Sequence, residues 1–190
     1  EIASCLVGSE MCIRDSIIPS IFICALGVAL LVWPEWGCDP LTTFEIGLSN
    51  VFHVQFGTVA LVFEGIMFFV FLFVRKDLVH LGTLAWCFLI GPFENLWLGI
   101  LDPILPVASE MSVGLKIVCI LLGSAIIIVT LAYYIPIGLG YQTSDIFAFI
   151  AADIVKKSYG IGLIISYAIL FVIGVALGSS WGIGTLIAVV

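Results

Sequence analysis

Two acidic residues lie where acids are costly. Glu64 is the single charge of the apolar run 57–74, and Glu94, with Asn95 beside it, follows Gly91-Pro92 in a second apolar run that ends near Leu101. A helix over 57–74 is about 27 Å long, close to the hydrocarbon thickness of a bilayer. A carboxylate at such a depth that faces the bundle interior reads as a proton or cation site, or as a solute contact. The alternative is a protonated structural carboxyl hydrogen-bonded to a neighbouring helix. Pro92 removes a backbone donor and frees a carbonyl about one turn earlier, near Phe88. A freed carbonyl beside Glu94 and Asn95 suits a cation or polar solute; the alternative is a plain kink with Glu94 near the outer interface.

A third group opens a short helix. Asp39-Pro40 is a favourable helix start, with Asp as N-cap and Pro at the first helical position. The free N–H groups there, with Thr42 and Thr43, suit an anion, although Asp39 as a cap fills that role itself. The candidate substrate- or ion-binding set is therefore Glu64, Glu94, Asn95, Asp39, Thr42 and Thr43. Glu45 and Asp145 could face a cavity or simply solvent on an amphipathic helix, and solvent is the preferred reading. His53 and His80 have no partners at ligand spacing, so no metal is assigned. The six cysteines show no CxxC spacing, and those inside apolar runs read as small hydrophobes. No nucleophile elbow, P-loop, HExxH or dinucleotide fingerprint occurs. The sequence predicts no catalytic residue, no cofactor and no enzyme activity, because neither a nucleophile nor a basic group joins the acids.

Composition says what must position these residues. The chain is 63% hydrophobic and only 10% charged, against about half and about a quarter in soluble domains. This predicts an all-α, polytopic membrane helix bundle, with the lipid bilayer as its surroundings and a small solute or a proton as its ligand. No basic patch suits nucleic acid, and the oligomeric state is left open. Apolar runs predict spans at 17–36, 57–74, from about 78 to 101, 113–137 and 160–177, with a sixth starting near Gly182. Gly91-Pro92 is expected to break the third. Two short amphipathic elements, one starting at Asp39-Pro40 and running to about Ser49, the other beginning at Thr143 or Ser144 as cap, are too short to span. They lie on the interface or re-enter it. Arg75-Lys76 and Lys156-Lys157 both belong on the cytoplasmic side, with Lys116 a lone basic residue outside.

Residues 10–16 read EMCIRDS, the translation of a transposon adapter used in sequencing libraries. Residues 1–16 are accordingly expected to be a scar outside the native fold, and the run that stops at Val190 is expected to be cut short. The remainder divides into two related halves, 17–101 and 113–190. Leu26-Gly27 matches Leu122-Gly123, Gly57 matches Gly160, and Gly82-Thr83-Leu84 matches Gly184-Thr185-Leu186. Three spans per half would set the halves inverted in the membrane, for five to six spans in all, as in many secondary transporters.

Gly37-x-Asp39-Pro40, Gly47-Leu48-Ser49, Gly57, Gly82-Thr83-Leu84, and Gly91 with Glu94 behind it resemble the YczE/YyaS/YitT-like families of bacterial integral membrane proteins, the YczE branch most of all. Gly160 and Gly182-x-Gly184-Thr185-Leu186 look like that family's second copy of the signature. The sequence departs from it at 138–143, where no Asp-Pro pair occurs. The resemblance implies a multi-pass protein of the bacterial plasma membrane and no particular reaction; transport of a small solute is the function it suggests. The rival is a non-transporting membrane component that assists or regulates a partner complex. Carboxylates gathered around one cavity would favour transport, and carboxylates dispersed among separate helix contacts would favour the rival.

Overall fold

The computed structural model describes residues 17–134, 140–182 and 184–185. The proposed scar, the end of the fourth predicted span and most of the sixth lie outside the described residues. Among the described residues there are seven helices and no strands: α1 Ile18–Val32, α2 Pro40–Phe52, α3 Phe56–Val74, α4 Leu81–Leu101, α5 Val113–Tyr134, α6 Thr143–Val155 and α7 Tyr159–Ala176. Four of them, α3, α4, α5 and α7, are long and apolar enough to cross a membrane. α1 is as apolar but has 15 residues. α2 and α6, at 13 residues each, are the two short elements.

Hydrophobicity points the opposite way from a soluble bundle. Large apolar side chains such as Ile66, Phe69 and Phe73 of α3, Ile128 and Val129 of α5, and Ile164 and Val172 of α7 face outward, while Glu45, Glu64, Glu94, Thr43, Thr83 and Thr143 are buried. The outward surface suits acyl chains, and the polar groups are left to satisfy one another inside. α1 is the central element, packed between α4 and α5, with Ile17, Ile21, Cys24 and Ala25 against Trp86 and Ile90. α3 lies against α4, α6 against α7, and α2 bridges to α7.

Glycines set how closely these helices approach, as expected where packing rather than the hydrophobic effect drives helix association. At the crossing of α1 and α5, a Cβ added to Gly27 would stand 2.9 Å from the carbonyl oxygen of Gly123, and one added to Gly123 would stand 2.7 Å from that of Gly27. Gly27→Ala is therefore expected to force the pair apart and to destabilise the protein by about 1–3 kcal/mol, seen as a lowered melting temperature in detergent.

Two expectations change. α4 runs unbroken from Leu81 to Leu101 with Pro92 inside it, so Gly91-Pro92 does not break the span. α6 starts after Gln142 with no side-chain cap: Thr143 is already its first helical residue, and its hydroxyl bonds Glu64 instead. Asp39 does cap α2, accepting from the Thr42 N–H at 3.1 Å with Pro40 at the first position. On one face of the bundle Arg75 pairs with Asp77 and with Asp153. The Arg75 guanidinium holds the exposed Asp77 carboxyl below its usual range. The contact to Asp153 sets the 75–76 basic pair beside the end of α6, where Lys156-Lys157 follows.

Candidate functional site

The sequence spreads its acids over residues 39–94, and the fold gathers them. A cavity of about 380 Å³ is lined by Asp39 from the start of α2, Glu45 from α2, Glu64 from α3 and Glu94 from α4. Thr42, Ser124, Gln142, Ser144 and Tyr167 supply the other polar lining, and Cys24, Trp86, Ile90 and Ile127 belong to its apolar wall. Among the described residues no Lys, Arg or His lines it. Four carboxylates without a counter-charge repel one another in a low-dielectric space, and a bound cation or proton relieves that repulsion.

Each acid reaches the cavity for a local reason. Thr42 and Glu45 are three residues apart on α2, hence on one helix face. Glu64 sits at mid-length of α3 on its buried face. Glu94 lies just past Pro92 on the same helix as Trp86 and Ile90. The amino ends of α2 and α6 both contribute lining residues, so the positive ends of two helix dipoles face the acids.

The four acids are not equally satisfied. Asp39 accepts from the Thr42 N–H. Glu64 is buried and accepts from the Thr143 hydroxyl at the first turn of α6. The Cys87 sulfur lies 3.6 Å from that hydroxyl oxygen, and the Cys87 thiol also hydrogen-bonds the Glu64 carboxyl. Glu45 and Glu94 are only 4% and 3% exposed, yet Glu45 Oε1 and Glu94 Oε2 have no hydrogen-bond partner among the described residues. The Oγ of Ser124, also on the cavity wall, is unpartnered as well.

Of the six residues the sequence offered, Glu64, Glu94, Asp39 and Thr42 line the cavity together. Asn95 does not. Its Oδ1 accepts from the Gly57 N–H at 3.0 Å and its Nδ2 donates to Thr58 Oγ1 at 3.1 Å, tying the start of α3 to α4. Thr43 does not either: it is fully buried, and its hydroxyl donates to the Cys38 carbonyl at 3.3 Å. Glu45, which reads as solvent-facing in the sequence, is buried on the cavity wall. Its signal was its place on the Thr42 face of α2. Ser124, Gln142, Ser144 and Tyr167 are polar residues scattered over three segments, and only the fold brings them together. Asp145, the other acid read as solvent-facing, hydrogen-bonds the Tyr159 hydroxyl at 2.7 Å and stays off the cavity wall.

Long apolar helices with their acids turned inward around one cavity define a polytopic helical membrane protein. The chain belongs to a family of unknown function (DUF6198), which matches residues 16–190. No curated protein matches it, and no solved structure does.

Proposed function

We propose that this protein is a secondary transporter of a small solute in the bacterial plasma membrane, and that the acid-lined cavity is its solute site. The observation that carries this reading is the convergence of Asp39, Glu45, Glu64 and Glu94, from one short helix and from two spans, on a single cavity with no basic residue among those described. Carboxyls kept only to join helices would each be consumed by a neighbour. Two of these are not.

The reading includes two inverted halves, and three contacts support it. Gly27 and Gly123, from the Leu-Gly pairs matched by sequence, make the reciprocal contact between α1 and α5. Gly37, with φ +90°, packs against Thr185 of the second Gly-Thr-Leu, and Gly140, with φ +125°, packs against Thr83 of the first. Glycine alone adopts such backbone angles freely, so the same device recurs after α1 and after α5. α2 and α6 then become the non-spanning helices whose amino ends flank a central site, a recurring transporter construction. Kinship with the YczE-like families is part of the same reading and rests on the glycine motifs.

Purified protein in liposomes tests it. A panel of radiolabelled amines, inorganic cations and organic acids is expected to include at least one solute taken up faster than by empty liposomes, with counterflow when the vesicles are preloaded. Uptake equal to that of empty liposomes for the whole panel would favour a non-transporting component of a partner complex.

A further inference from the structure

Resting on the transport reading, we infer that the cavity takes a small primary or secondary amine in its ammonium form, a compact N–H-bearing cation on an apolar body. The charge comes first. Among the described residues the wall carries four carboxyls and no Lys, Arg or His, so its side chains disfavour an anionic solute despite the two helix amino ends. The size comes next. About 380 Å³ lies within the range of small-molecule sites, about 300–1,000 Å³, and far exceeds the ~30 Å³ share of one water molecule. A bare ion would rattle in it. Among the described residues no three His, Cys, Asp or Glu side chains come together as metal ligands would, so the acids surround the space without converging on one point in it.

The unpartnered atoms decide between kinds of organic cation. Glu45 Oε1 and Glu94 Oε2 are buried acceptors awaiting donors. A buried acceptor without a donor is costly, and a charged donor satisfies it best. A quaternary ammonium has the charge but no N–H to give. A primary or secondary ammonium has both, and Ser124 Oγ can accept or donate a further bond. Trp86, Ile90, Ile127 and Leu131 on the wall are suited to an apolar body, and Trp86 and Tyr167 add aromatic rings that attract cations.

Isothermal titration of the purified wild-type protein in detergent, at neutral pH, tests this with four probes: phenethylamine, its N,N,N-trimethyl analogue, phenylacetate, and the chlorides of sodium and magnesium. Saturable binding is expected for phenethylamine, about ten-fold weaker binding for the trimethyl analogue, and none for phenylacetate or the metal chlorides. Glu45→Gln and Glu94→Gln are each expected to weaken phenethylamine about ten-fold or more, with monodisperse protein. Equal binding of the two amines overturns the N–H requirement. Binding of phenylacetate or of a metal ion in place of the amine overturns the substrate class while leaving transport intact. Amine binding without uptake into liposomes sinks the transport reading and leaves the site. The wild-type probe series decides the matter even if neither variant folds.

Discussion

Glu64→Gln and Glu94→Gln are each expected to lower solute flux into proteoliposomes by about 100-fold or more, the scale set by removing one member of a buried charge contact, while purified yield and monodispersity stay unchanged. The two substitutions remove the same charge from different situations. Glutamine at 64 keeps an oxygen that accepts the Thr143 hydroxyl, so the tie between α3 and α6 survives. Glutamine at 94 takes away an oxygen that no protein group uses, so no native contact is lost. A fall in flux with an intact fold therefore reports on the solute site and not on helix packing. Thr143→Val is the contrasting variant. It takes the Thr143 hydroxyl away from the buried Glu64 carboxyl, and should cost about 1–3 kcal/mol of stability, read as a lower melting temperature. Unchanged flux in both glutamine variants would remove the carboxylates from the mechanism, and the cavity with them.

Four of the spans were legible because a bilayer leaves little freedom: a run apolar enough to cross it must be helical and long; the first predicted span, 17–36, is a shorter helix that ends at Val32. α3 begins one residue before the predicted run and ends with it, and α4 ends at Leu101 as read. The caps that depend on neighbours in sequence were legible too, Asp39 above all. What failed depended on tertiary partners. Glu45 was assigned to water by the habit that a polar face seeks solvent, but in a membrane bundle the polar face turns to the interior. Asn95 looked like a ligand beside Glu94, yet the open N–H of Gly57 claims it. Thr143 looked like a cap, yet it serves Glu64 from 79 positions away.

Gly91-Pro92 was misjudged for a related reason, and it carries the second large prediction. In a span, proline need not break the helix when neighbours satisfy what it frees, and here glycine matters more than proline. A Cβ on Gly91 would overlap the carbonyl oxygen of Gly57 and stand 2.7 Å from the Leu61 nitrogen. A Cβ on Gly57 would in turn overlap the carbonyl oxygen of Gly91. These are backbone atoms inside two helices, so no side-chain adjustment makes room; α3 and α4 must separate. Separation would also pull Asn95 from Gly57 and Thr58, and would carry Glu64 away from Glu94 across the cavity. Gly91→Leu is therefore expected to destabilise the protein by about 3 kcal/mol or more, at the upper end of overpacking costs, and to abolish solute binding in whatever fraction remains folded. Gly65→Ala on the same helix pair is the control. Its Cβ would meet only the Phe88 ring, at 3.5 Å and 3.7 Å, an ordinary contact, and it should melt with the wild type. Melting curves in detergent separate the two cases: if Gly91→Leu unfolds no earlier than Gly65→Ala, α3 and α4 do not meet at Gly57 and Gly91, and the cavity they enclose cannot have this shape.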